Sequence, residues 1–139
     1  MKLFALLTLM VSTASHGAVD LLVPAYFYPS ASGSAWNTLV AAAQSGAPVT
    51  AIMNPGSGPG LAPNSDYVAA VNALRAAGGK VLGYVPTGYG GSSVSPTSTC
   101  QPAVGSTYTA TDVLNCAARY KIWYSVDGVF LDEFTNTTA

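Results

Sequence analysis

Residues 126–133 read Val-Asp-Gly-Val-Phe-Leu-Asp-Glu and combine a turn, a short apolar run and two acids. The Asp-Gly pair is typical of a turn. The apolar triplet is typical of a strand that is covered on both faces, as in a parallel sheet. In parallel α/β folds, ligands and catalysis are found at the carboxyl ends of strands. The stretch therefore predicts a strand of such a sheet, with Asp132 and Glu133 as the candidate active site.

Three similar apolar runs come earlier in the chain, at residues 21–26, 49–53 and 80–85. Each is followed by a segment with apolar residues at helical spacing, which begins at a residue suited to cap a helix. The predicted caps are Ser34, Asn64 or Ser65, and Thr109 or Thr111. The apolar faces of the predicted helices are Trp36, Leu39, Val40 and Ala43; Tyr67, Val68, Val71 and Leu74; and Val113, Cys116, Ala117, Tyr120 and Tyr124.

This alternation of strands and helices predicts an α/β fold with a parallel sheet. Right-handed crossovers would lay the four strands side by side in chain order. An open doubly wound sheet and half of a (β/α)8 barrel both fit the pattern. A full barrel needs about 250 residues, whereas the chain has 139. In the barrel interpretation, the chain holds only the first four βα units.

The first 18 residues have the order of a secretory signal peptide. Lys2 is followed by an apolar run at residues 3–11, then by small residues, and cleavage is expected between Ala14 and Ala18. A membrane anchor would need about 20 apolar residues, and no later segment is that long. We therefore expect residues 19–139 to form the mature domain, without a membrane span, in a protein that is secreted or held at the cell surface.

Two cysteines, Cys100 and Cys116, fall in the predicted mature chain. An even number of cysteines in an exported chain favours a disulfide. The alternative is a pair of free thiols. The bond would fasten the long polar loop after the third strand to the following helix.

Composition excludes several classes of function. Five Lys and Arg residues without a cluster do not make a nucleic-acid surface. The only histidine is His16, in the predicted signal, so histidine-based catalysis and histidine-ligated zinc are excluded from the mature domain. The Gly-rich residues 54–60 lack the last glycine of a dinucleotide motif, and Pro59 removes a backbone N–H. No cofactor or metal is predicted, and carboxylate chemistry remains.

The chain has six carboxylates, of which Glu133 is the only glutamate. Four lie near the start of a predicted helix or strand, or in a turn: Asp20, Asp66, Asp112 and Asp127. Only Asp132 and Glu133 directly follow an apolar strand. They are the predicted catalytic residues.

Aromatic and polar residues follow the other predicted strands at the same edge. Tyrosine rings can stack on sugars while their hydroxyl groups form hydrogen bonds. The candidate substrate-binding residues are Tyr26, Tyr28, Asn54, Tyr84, Thr87 and Tyr89. For Tyr26 and Tyr84, packing in the core is an equally good explanation.

Four stretches, at residues 23–29, 54–60, 83–90 and 126–133, resemble the spherulin-4-like family, also called spherulation-specific family four, in order and spacing. The resemblance implies a TIM barrel, secretion or a cell-surface location, and hydrolysis of galactosamine-containing exopolysaccharide. It places Asp132 and Glu133 in the catalytic cleft and a further acid on a later strand. Two departures are Pro86, where the family often has histidine, and the loop at residues 90–106, which looks like an insertion.

The first hypothesis is therefore a secreted glycoside hydrolase that acts on a galactosaminogalactan-type polysaccharide. One carboxyl group would protonate the leaving oxygen, and a second would attack the sugar or activate water. The alternatives are a secreted carbohydrate-binding protein without turnover and an incomplete product that does not fold stably. Adjacent residues of a strand point to opposite faces. Asp132 and Glu133 can both enter one cleft only if the strand bends there.

Overall fold

The computed structural model describes residues 19–30, 33–91, 98 and 100–134. The predicted signal peptide and part of the predicted insertion lie outside these residues. Within them, none of the helices has the length and apolar content needed to cross a bilayer. The elements are β1 (Leu21–Ala25), α1 (Ala35–Gln44), β2 (Val49–Met53), α2 (Ser65–Ala76), β3 (Lys80–Pro86), a 3-10 turn (Gly88–Gly90), α3 (Ala110–Tyr124) and β4 (Gly128–Asp132).

The four strands form one parallel sheet in the order β1-β2-β3-β4. The three helices contact each other in chain order and pack against β2, β3 and β4. They therefore form one layer, as right-handed crossovers between neighbouring strands require. The predicted parallel α/β sheet is confirmed. Among the described strands the order does not reverse, as it would in a doubly wound sheet.

Each helix begins at a predicted cap. The Ser34 hydroxyl accepts the N–H of Trp36 at 3.2 Å. Asn64, rather than Ser65, caps α2 by accepting the N–H of Asp66 at 2.9 Å. Thr109, rather than Thr111, caps α3 in a reciprocal capping box with Asp112.

Two strands are more exposed than the sequence predicts. Leu22 of β1 is 55% exposed and Leu131 of β4 is 37% exposed, whereas both strands were expected to be covered on both faces. The reason is their position at the two edges of the sheet, where each has a neighbouring strand on one side only. Burial of an apolar run thus depends on its neighbours as well as on its own residues.

Asp127 has the structural role that its turn position predicts. It forms an ion pair with Arg75 of α2 at 3.0 Å and accepts the backbone N–H of Val81 at 2.9 Å. These contacts fasten the start of β4 to β3 and α2, at the end of the sheet opposite to the candidate site.

Cys100 and Cys116 are joined by a disulfide. Close to this bond, the loop after β3 contacts the Gly-rich loop after β2. The Ser98 hydroxyl donates to the carbonyl of Gly56 at 2.8 Å and accepts the N–H of Gly60 at 2.8 Å. The disulfide therefore fastens to α3 a segment that also holds the loop at residues 54–60.

Gly83 lies beneath the ring of Tyr120, and we expect Gly83→Ala to destabilise the protein. A Cβ atom at this position would lie well inside van der Waals contact of the ring. Tyr120 is fully buried, and its hydroxyl donates to the carbonyl of Met53 at 3.3 Å, so the ring is held in place. Overpacking of this kind lowers the free energy of unfolding by about 1–3 kcal/mol, which urea denaturation would measure.

A double variant, Gly83→Ala with Tyr120→Leu, provides the control. Because the smaller side chain relieves the clash, the two substitutions should cost less together than the sum of their separate costs. Strict additivity, or an unchanged midpoint for Gly83→Ala, would contradict the close packing.

Candidate functional site

The candidate site lies where β3 and β4 end side by side. Pro86 of β3 is paired with Asp132 of β4. Beyond this pair, Thr87 lies next to Glu133. The backbone N–H of Thr87 donates to the carbonyl of Asp132 at 3.0 Å. This places the predicted catalytic pair against the start of the loop that follows β3.

The backbone bends at Glu133, as the sequence requires if both carboxyl groups are to share one cleft. Glu133 has φ +62°, in the left-handed region, which costs a residue with a side chain about 1–3 kcal/mol. Its N–H donates to Oδ1 of Asp132 at 2.8 Å. Its carboxyl oxygen Oε2 accepts the N–H of Gly88 at 3.1 Å.

The loop after β3 holds this bend through backbone carbonyls. The Thr87 hydroxyl lies within hydrogen-bonding distance of the carbonyls of Asp132, at 2.9 Å, and Glu133, at 2.7 Å. The N–H of Tyr89 also donates to the Glu133 carbonyl, at 2.6 Å. The structure therefore directs the Thr87 hydroxyl towards the protein backbone.

Tyr84 of β3 interacts electrostatically with both acids. Its side chain is only 7% exposed. Burial raises the pKa of its hydroxyl well above the usual value, and the charge of Glu133 and a hydrogen bond with Asp132 raise it further. The hydroxyl therefore remains protonated and can donate a hydrogen bond.

Tyr26 completes the cluster from the end of β1. Its ring stands edge-on to that of Tyr84, with 5.5 Å between the centroids. Burial, and then the charge of Asp132, raise the pKa of the Tyr26 hydroxyl. Tyr26 is 47% exposed, so its ring is open to a ligand, whereas Tyr84 is mostly covered. Tyr26, Tyr84, Asp132 and Glu133 thus form one group.

The other predicted binding residues lie farther out or have backbone partners. Asn54 accepts the N–H of Gly58 at 3.0 Å and shapes its own loop. The hydroxyl of Tyr28 donates to Asp66 at the start of α2, at 2.5 Å. Tyr89 is exposed, and its backbone N–H donates to the carbonyl of Glu133.

The sequence did not predict the role of Gly88. It has φ +63°, and a Cβ atom there would collide with the ring of Tyr108. Only glycine fits this position easily, and the fit brings its N–H to Glu133. A glycine between Thr87 and Tyr89, directly after a strand, is the signal that could have indicated it.

A cavity of about 480 Å³ lies beside the bend. Its lining comes from the end of β3, the start of α3 and the end of β4, and includes Thr87, Tyr108, Val113, Leu131 and Phe134. Because these residues are distant in sequence, no local pattern predicts the cavity.

The donor groups present define the chemistry that the site can perform. Among the residues that the structure describes, no three His, Cys, Asp or Glu side chains come together as a metal site. Two carboxyl groups and a protonated tyrosine are suited to proton transfer or to attack on an electrophilic carbon. The exposed ring of Tyr26 adds a surface on which a sugar can stack.

Comparisons with known proteins extend over most of the chain. Residues 20–139 match the family model described as spherulation-specific family 4. Spherulin-4 of Physarum polycephalum is 36% identical over 124 residues, which are 88% of this chain and 32% of that protein. The crystal structure of Aspergillus clavatus Sph3 in complex with GalNAc superposes with a TM-score of 0.61 and 26% identity, covering 83% of this chain and 44% of that one. The chain thus spans about a third of the curated relative and less than half of the solved structure.

Proposed function

This chain belongs to spherulation-specific family 4, and on that premise we propose that it is a secreted glycoside hydrolase acting on a galactosamine-containing exopolysaccharide. The observation that carries the proposal is the bend at Glu133. There the N–H of Glu133 donates to Oδ1 of Asp132, and both acids act electrostatically on the hydroxyl of the largely buried Tyr84. Such a bend costs free energy, and a solvated loop of charges would have no need of it.

In this proposal, the ring of Tyr26 stacks on a sugar and the two acids lie at the bond to be cut. One acid takes part in proton transfer or nucleophilic attack, and its neighbour orients it. The complex of Sph3 with GalNAc supports an amino sugar as the ligand class, since that protein is 26% identical to this chain.

We also propose that the four strands correspond to the first half of a (β/α)8 barrel. The unreversed strand order, the single helix layer and the coverage of 44% of Sph3 support this. A glycosidase needs two carboxyl groups about 5–9.5 Å apart across the sugar. In a closed barrel, an acid from another strand would face the Asp132-Glu133 pair across the cleft.

The direct test is incubation of the purified protein with a galactosaminogalactan-type polymer. We expect new reducing ends and shorter oligosaccharides to appear with time. If the polymer remained uncut at protein concentrations that bind it, the proposed hydrolase function would be wrong.

A specific observation favours the alternative, a carbohydrate-binding protein without turnover. Of the other acids near the carboxyl edge of the described sheet, Asp66 is bonded to Tyr28 and Asp112 to Thr109. Within the described residues, the Asp132-Glu133 pair therefore has no further carboxyl group facing it. Binding of the polymer without product release, unchanged in Glu133→Gln, would select this alternative.

A further inference from the structure

We propose that Thr87 is a positioning residue, whose hydroxyl holds the Asp132-Glu133 bend in the shape that the reaction needs. Its effect on catalysis rests on the proposed function, but its effect on geometry does not. Thr87 was predicted from the sequence to bind substrate, and this proposal gives it a different role.

The first support is the direction of its hydrogen bonds. The hydroxyl has one proton to donate, and two carbonyl oxygens, of Asp132 and Glu133, lie 2.9 and 2.7 Å from it. The N–H of Thr87 donates to the same Asp132 carbonyl. With its proton shared between the two carbonyls, the hydroxyl has none left to donate to a sugar.

The second support is the conformation of Glu133. A residue with a side chain at φ +62° stays there only when its surroundings hold it. The backbone carbonyl of Glu133 accepts the Tyr89 N–H and lies near the Thr87 hydroxyl. The side-chain carboxylate of Glu133 accepts the Gly88 N–H. In an extended backbone, adjacent side chains would point to opposite faces. Loss of the bend would therefore turn the two carboxyl groups towards opposite faces of the sheet.

Two variants separate positioning from substrate binding. Thr87→Val keeps the shape and the backbone N–H but removes the hydroxyl, and Thr87→Ser keeps the hydroxyl. We expect Thr87→Val to lower kcat about 10- to 100-fold with KM nearly unchanged, since small misplacements in a site have effects of this size. Thr87→Ser should restore most of kcat. A raised KM with unchanged kcat would instead assign Thr87 to substrate binding and overturn the proposal.

A second measurement does not depend on turnover. Because Glu133 is the only glutamate, protein labelled with 13C at the glutamate carboxyl gives one resonance, which needs no assignment. We expect this resonance to shift in Thr87→Val and to stay near its native position in Thr87→Ser. Thr50→Val, on β2 near the opposite end of the sheet, is the matched control and should leave it in place.

The two measurements keep the proposals apart. A native resonance in Thr87→Val overturns the positioning role, whatever the wild-type protein hydrolyses. A shifted resonance in a protein that cuts no polymer supports the positioning role and rejects the proposed function.

Discussion

Replacing Glu133 by glutamine is expected to lower the rate of polymer hydrolysis by about 100- to 10,000-fold if Glu133 is the acid that transfers the proton, since this is the usual contribution of such a group. The substitution keeps the length of the side chain and an oxygen that can accept the Gly88 N–H. It removes the charge and the ability to donate or take up a proton. Asp132→Asn should have an effect of comparable size if Asp132 is the reacting group, and a smaller one if Asp132 orients Glu133. Initial rates of reducing-end release would measure both variants.

The matched control is Asp20→Asn, which neutralises a carboxyl group just before β1, at the opposite end of the sheet. It should hydrolyse the polymer at the wild-type rate. Thermal unfolding of all three variants would separate loss of chemistry from loss of fold. If Glu133→Gln and Asp132→Asn both kept the wild-type rate, the assignment of the active site would be wrong.

Removal of the disulfide is expected to cost about 3 kcal/mol of the free energy of unfolding. Cys100 and Cys116 are 16 positions apart, and closing a loop of about 15 residues stabilises a protein by this amount through the entropy of the unfolded chain. The double variant Cys100→Ser with Cys116→Ser should therefore unfold at a clearly lower urea concentration.

A reducing agent supplies the control for this prediction. It should lower the urea midpoint of the wild-type protein towards that of the double variant and leave the double variant unchanged. Equal midpoints for the oxidised wild-type protein and the double variant would contradict a stabilising bond.

The helices and strands could be predicted from local signals in the sequence. The features that differ from the prediction depend on contacts between residues distant in the chain. Helix caps such as Ser34 and Thr109 act on residues two or three positions away, so a short window of sequence contains the whole interaction. The exposure of Leu22 depends on which strand lies beside β1, and no window around Leu22 contains that information.

The site divides in the same way. The position of the acidic pair at the end of β4 was predictable because the pair directly follows an apolar run. The uses of Thr87 and Tyr28 were not, because their hydroxyl groups contact residues 45 and 38 positions away. The geometry of a strand requires a bend only if both acids enter one cleft, and glutamate gives no local signal for a left-handed conformation.

The left-handed backbone at Glu133 has a consequence for how this protein tolerates change. Glycine or asparagine adopts that conformation more readily, so either would suit the fold better at this position than the native residue. Selection for thermal stability alone would therefore tend to replace Glu133 and produce more stable proteins that lack this carboxyl group. Under the proposed function, stability of the fold and catalysis therefore make opposing demands on this one residue.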